Sequence, residues 1–191
     1  PYRDHRREAV VGPIEDLPGR LSWPERPRFF AYLVSGIAST EPGLLALAQA
    51  GFSGEAYIRG AEEGLKTRLR AAGLTVHDAP VPLAEALSRC RAVVHQGGLM
   101  TSMAALAAGR PQMLLPTHLE HMLNGINVHS LGAAHYLAAE YPVADLIEGV
   151  RQLLHEPKFR DRANDLANHY HRVGLTNGLA KSVEICRKHL N

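Results

Sequence analysis

The residues of this chain best suited to chemistry lie between Ala92 and Asn124. Ala92-Val93-Val94 is a short apolar run ending on His95-Gln96-Gly97-Gly98. Thr101 and Ser102 follow at the head of an alanine-rich stretch, and Pro111-Gln112-Met113-Leu114-Leu115-Pro116 is a second apolar run. These patterns read as strand, glycine turn, helix, strand. A helix that starts directly after a glycine turn presents unpaired backbone N–H groups and the positive end of its dipole, so the chemistry suggested is anion binding. Gly97 and Gly98 let a ligand come close to the backbone, and the hydroxyls of Thr101 and Ser102 can cap the helix or bond a phosphate. A glycine pair alone also serves merely to turn a strand into a helix, so the elements around it have to decide.

Those elements alternate. Arg28 to Ser35 is an apolar strand that stops at Ser35-Gly36. Thr40-Glu41-Pro42 places a cap before a proline in the first helical turn, and Leu44 to Ala50 continues as helix up to Gly51. Strands at Glu55–Ile58 and Leu74–His77 alternate with helices at Glu62–Ala72 and Leu83–Cys90, the last preceded by the loop Ala79-Pro80-Val81-Pro82. After Pro116 come a helix from Leu119 to Leu131, a short strand at Ala134–Leu137, and helices over Val143–His155, Phe159–Arg172 and Thr176–Leu190. The pattern predicts an α/β fold with a doubly wound, mostly parallel, six-stranded Rossmann-like sheet of order 3-2-1-4-5-6. In that order strands one and four are neighbours across the switch point. Ser35-Gly36 then faces His95-Gln96-Gly97-Gly98, and two glycine-bearing turns meeting there suit a diphosphate.

Composition narrows the class. At 191 residues one domain is the default, and 46% hydrophobic residues suffice for a core. A formal charge of +2 lacks the footprint of a nucleic-acid binder. No apolar run reaches the roughly 18 residues of a membrane span. Cys90 and Cys186 are far apart and no signal-peptide pattern is present, so a cytoplasmic protein with reduced thiols is expected. No GxSxG, CxxC or Walker lysine occurs, which removes the usual hydrolase, redox and P-loop readings. Residues 1–27, with Pro1, Pro13, Pro18, Pro24 and Pro27 among charges, read as an extended linker, leaving residues 28–191 as the domain. Trp23 either packs on the domain or binds substrate. His169 and His171, among Lys158, Arg160, Arg162 and Arg172, read as a solvated helix face.

More than the turn matches a family. His95-Gln96-Gly97-Gly98, Thr101, Ala105-Leu106-Ala107-Ala108-Gly109-Arg110-Pro111, Leu115-Pro116 and Glu120-His121-Met122-Leu123-Asn124 resemble the donor-binding motif of two-domain (GT-B) glycosyltransferases. The nearest subgroup decorates macrolides and other natural products from nucleotide sugars. Its pattern is roughly H-x-G-G-x-G-T-x-x-x-A-L-x-x-G-x-P, a strand, then P-x-x-x-D-Q-x-x-N. The resemblance runs from about Arg28 to the C terminus and implies that the chain is the C-terminal, donor-binding half of a GT-B fold, with residues 1–27 leading in from an acceptor-binding N-terminal domain.

The resemblance implies roles. His95, Gly98, Met100 and Thr101 match positions that would hold the diphosphate of a dTDP- or UDP-sugar, His95 by donating a ring N–H, and the strand-end geometry above adds Ser35, Gly36 and Gly97 to them; the alternative for His95 is a satisfied histidine ending a strand. Val81 and Pro82 would read the pyrimidine edge with their backbone, unless they form a plain proline loop. Glu120 and His121 stand where the family has Asp-Gln, the pair that binds the transferred sugar, and Asn124 matches the motif's asparagine. Met100 replaces a small residue and narrows the pocket. Met103, where other members carry a ribose-binding glutamate, either suits a deoxyribose without a 2′-hydroxyl or simply faces the core. His118 and His121 lack a third ligand at convincing spacing, so neither metal nor cofactor is expected. The implied reaction is transfer of a sugar to a small-molecule hydroxyl, with the base in the acceptor domain and the isolated domain inactive. Two alternatives remain: a stand-alone nucleotide-binding subunit that completes a site with a partner polypeptide, and a GT-B-like sugar-nucleotide epimerase.

Overall fold

The computed structural model describes residues 12–13, 16–37, 39–138, 140–173 and 178–190. Strands β1 (Arg28–Val34), β2 (Ser53–Arg59), β3 (Thr75–His77), β4 (Ala92–His95), β5 (Gln112–Leu114) and β6 (Ala134–Tyr136) form one sheet in the order β3-β2-β1-β4-β5-β6. Every neighbouring pair is parallel. This is the sheet that the alternating pattern predicts. The connecting helices are α1 (Thr40–Gln49), α2 (Glu63–Ala71), α3 (Leu83–Arg89), α4 (Leu99–Ala108), α5 (Leu119–Ser130) and α6 (Val143–His155), followed by α7 (Pro157–Arg172) and α8 (Gly178–Leu190). The expected start of the last helix at Thr176 lies outside the described residues.

A strand covered on both faces should read as a nearly continuous apolar run, and β1, Arg-Phe-Phe-Ala-Tyr-Leu-Val, does so. Phe29, Ala31 and Leu33 on one face meet Leu44 and Leu47 of α1 and Leu146, Val150 and Leu153 of α6. Phe30 on the other face, beside Val93 of β4, meets Ala86 and Leu87 of α3 and Ala104, Ala105 and Ala108 of α4. The alanine face of α4 lets that helix sit close to the sheet, which is what brings its start to the edge where β1 and β4 end.

Two local expectations change, and the packing of the N-terminal segment adds to the sequence reading. Thr40 is no cap: Ser39 is the N-cap and makes no side-chain cap bond, while the Thr40 hydroxyl donates to the Val34 carbonyl at 3.3 Å and ties α1 to the end of β1. His171 leaves the solvated face and donates from Nε2 to the Ala107 carbonyl at 2.9 Å, joining α7 to α4. Finally, the described part of the N-terminal segment packs on the domain. Arg110, fully buried, donates to the carbonyls of Leu21, Ser22 and Leu87. The Arg91 Nε donates to the Pro24 carbonyl. The Trp23 ring lies 5.6 Å from the Arg110 guanidinium and 5.8 Å from that of Arg91, so its packing role is the one realised. Residues 1–11, 14 and 15 of the segment read as a linker lie outside the described residues.

Candidate functional site

Parallel register places Tyr32 of β1 against His95 of β4, so the two strands end side by side and their turns leave the same edge of the sheet. After β1 the Ser35 N–H still continues the ladder, donating to the Arg59 carbonyl at 3.0 Å. What that turn has left for a ligand is the Ser35 hydroxyl and the Gly36 N–H. Gly36 has φ +79° with open space where a Cβ would be. After β4, Gly97 has φ +92°, and a Cβ on it would come within 2.8 Å of the His121 carbonyl oxygen. Only glycine satisfies both the backbone angle and the approach of α5. Gly98 is the N-cap of α4, and no side chain caps this helix. Its first turn also carries no acidic residue, so the dipole there is uncompensated. The first helical bond runs from the Ser102 N–H to the Gly98 carbonyl at 3.0 Å. The N–H groups of Leu99, Met100 and Thr101 therefore have no acceptor within the helix.

His95 is placed differently from the expectation. It is buried, and its Nδ1 accepts the Gly97 N–H at 3.1 Å. An accepting Nδ1 puts the ring proton on Nε2, which lies 2.8 Å from the Gln112 Oε1 and donates to it. The Gln112 amide in turn donates to the Ser102 carbonyl at 3.3 Å. Both ring nitrogens are engaged, so His95 offers no N–H to a phosphate in this conformation and instead shapes the turn. Burial pushes its pKa down to about 4, partly offset by the bond to Gln112. The ring is neutral at pH 7. Gly97 likewise gives its N–H to His95, which leaves Gly98, Met100 and Thr101 of the expected diphosphate residues with backbone groups at the helix start.

The second motif arrives on α5. His121 reaches the glycine turn: its backbone lies against Gly97, and its Nε2 is 3.8 Å from where a Gly98 Cβ would stand. Its Nδ1 is 3.2 Å from the Thr117 hydroxyl, and its ring stacks on His118 with centroids 3.6 Å apart. Burial and then the His118 charge lower the His121 pKa, with Glu120 opposing them. Glu120 is exposed beside it. The side-chain amide nitrogens of Gln96 and Asn124 are buried without a hydrogen-bond acceptor. Such orphaned donors call for a ligand or partner group. Among the described residues no three His, Cys, Asp or Glu side chains form a group able to hold a metal ion.

Of the two residues expected at the base, Pro82 is the N-cap of α3 and lines a cavity of about 490 Å³ shared with Leu83, Met100, Ala104 and Leu17. Val81 packs instead on the α3–α4 side of the core. A second cavity, of about 360 Å³, is lined by Ser35, Gly36, Ile37 and Thr40 at the end of β1. A third, of about 570 Å³, touches Arg26, Arg28, Phe52 and His155, where the strands begin, and includes none of the motif residues. Sequence reasoning missed Gln112 and Arg110. A glutamine inside an otherwise apolar strand was the available signal for the first. Nothing marked the second, which sits at a variable position of the G-x-P motif.

A doubly wound parallel sheet in which the uncapped start of α4 and a second glycine turn leave the same edge at the switch point is an α/β domain with the fold found in GT-B glycosyltransferases. More particularly, the chain belongs to the family described as erythromycin biosynthesis protein CIII-like, C-terminal domain, whose model matches residues 62–178. The elloramycin glycosyltransferase ElmGT of Streptomyces olivaceus is 40% identical over 87 residues, covering 46% of this chain and 22% of that protein. Among solved structures, the calicheamicin glycosyltransferase CalG4 superposes with a TM-score of 0.75 at 22% identity, over 100% of this chain and 49% of its own. The glycosyltransferase VinC, solved in complex with dTDP, gives 0.67 at 24% identity, over 89% of this chain and 44% of its own. The chain thus spans less than half the length of these solved relatives.

Proposed function

We propose that this domain binds the nucleoside diphosphate of a sugar donor, and that within a complete glycosyltransferase it serves transfer of that sugar to a hydroxyl of a small-molecule acceptor. The observation that carries the reading is the uncapped, charge-free start of α4 lying beside Ser35-Gly36 at the switch point. In this reading the N–H groups from Gly98 to Thr101, with the Thr101 hydroxyl, neutralise the diphosphate, and the same groups stabilise it as a leaving group. The pyrimidine occupies the cavity between Pro82 and Met100, and Glu120 and His121 face the sugar. His121, neutral and next to Gly98, replaces an amide and can both donate and accept toward sugar hydroxyls.

The preference between a deoxyribose and a ribose nucleotide is read from Met103. It is only partly buried on α4, so it is not consumed by the core, and its thioether cannot satisfy a ribose 2′-hydroxyl. A thymidine nucleotide is the better fit. In this reading Glu120 and His121 are engaged with the sugar, and deprotonation of the acceptor is assigned to a residue of the acceptor-binding domain. The exposed stripe Leu119, Met122, Leu123 and Ile126 on α5 supports a covering polypeptide beside the site, which is equally what a two-polypeptide arrangement would need. Thermal denaturation of the chain with dTDP, UDP and ADP at millimolar concentration tests the reading. A rise in Tm with dTDP, smaller with UDP and absent with ADP, is expected. No rise with either pyrimidine nucleotide in a folded sample would refute it.

A further inference from the structure

The hydrogen-bonded string behind the glycine turn assigns a task to a residue that no motif includes. Val93 of β4 pairs with Gln112 of β5, so His95, two residues on from Val93, projects from the same face of the sheet and Gln112 reaches it diagonally across the strands. Gln112 is fully buried, as is the His95 ring, so bulk water does not reach either partner. The direction of every bond in the string is determined. The Gly97 N–H can only donate, so His95 Nδ1 accepts; the ring proton is then on Nε2, Gln112 Oε1 accepts it, and the Gln112 NH₂ is left to meet the Ser102 carbonyl. One amide therefore joins the strand end, the turn and the first turn of α4.

We propose that Gln112 is a positioning residue for the diphosphate site: by accepting the His95 Nε2–H it holds the imidazole with Nδ1 toward Gly97, and so holds the turn that aims the N–H groups of α4. This rests on the diphosphate reading given above. Without Gln112 the Nε2–H is a buried donor lacking an acceptor. The ring then gains by rotating toward another one, and the Gly97 N–H loses its partner. The effect reaches the ligand only through His95 and the turn, since the Gln112 side chain faces β4 and α4 and lines none of the cavities at the sheet edge.

Gln112→Met keeps the shape and removes both hydrogen bonds. In the wild-type chain, ¹H–¹⁵N spectra should show a slowly exchanging Nε2 proton and an unprotonated Nδ1 for His95. In Gln112→Met that proton should be lost, the Gly97 amide should exchange at least roughly tenfold faster, and affinity for dTDP should fall by about fivefold to tenfold. A variant that keeps the slow Nε2 proton, the Gly97 protection or the wild-type dTDP affinity overturns the proposal. If Gln112→Met does not fold, the wild-type spectrum decides, and a ring protonated on Nδ1 at pH 7 overturns it. Wild-type protein that binds neither dTDP nor UDP sinks the functional reading itself, which the imidazole spectrum distinguishes from failure of the Gln112 bond alone.

Discussion

Replacing Gly97 by alanine should damage this protein in a way that replacing Gly36 does not, and the comparison isolates the junction on which the site depends. Both glycines have positive φ, at +92° and +79°, so either alanine pays about 1–2 kcal/mol for a left-handed backbone. Only at Gly97 does the new Cβ also meet main chain, 2.8 Å from the His121 carbonyl oxygen. That atom is not the tip of a flexible side chain, so α5 or the turn must shift, at about 1–3 kcal/mol more. For a domain of this size each kcal/mol lowers Tm by roughly 2–4 °C. Gly36→Ala should therefore lower Tm by a few degrees, and Gly97→Ala by roughly 5–15 °C, measured by scanning calorimetry and by urea unfolding. Displacing α5 also moves His121 away from Gly98, so dTDP affinity should fall at least roughly tenfold in Gly97→Ala. Equal destabilisation by the two substitutions, or undiminished dTDP binding by Gly97→Ala, would refute the claim that α5 is seated on the turn.

Acid should weaken the fold through its buried histidines. The His95 pKa is lowered from 6.5 to about 4 by burial, so its contribution is complete above pH 6.5 and is lost as the pH falls toward 4. That is a loss of up to about 3 kcal/mol, to which His121 and His135, also lowered by burial, add in the same direction. Urea midpoints between pH 7.5 and 4.5 measure this, and His95→Gln should flatten the slope. Arg110→Leu should cost roughly 3 kcal/mol or more, because it strands the Leu21, Ser22 and Leu87 carbonyls; Trp23 fluorescence should shift to the red as the N-terminal segment loosens. His121→Ala should weaken binding of a dTDP-hexose more than that of dTDP itself, by isothermal titration; equal losses would move His121 off the sugar.

The sheet and its switch point were legible because each rests on local pattern: apolar runs such as β1 and β4, broken by glycine, alternate with helical periods, and connection rules then leave one strand order. The helix start was legible for the same reason. The inner chemistry of the site was not. His95 reads as a phosphate donor in sequence because its neighbours are ligand-binding types, yet its two partners are the amide two residues on and a glutamine seventeen residues away on the next strand. Only the register of β4 and β5 puts Gln112 on the correct face. Arg110 shows the same limit, since its burial depends on carbonyls of Leu21 and Ser22, 89 and 88 residues away in the N-terminal segment.

Backbone amide shifts during titration with dTDP test the central claim most directly, since each N–H reports its own contact. The account predicts that the largest changes fall on Gly36 and on Gly98 through Thr101, with Pro82's neighbours Leu83 and Ala84 next. Changes centred instead on Arg28, Phe52 and Ser53, where the strands begin, or no change at all in a folded protein at several millimolar nucleotide, would contradict it.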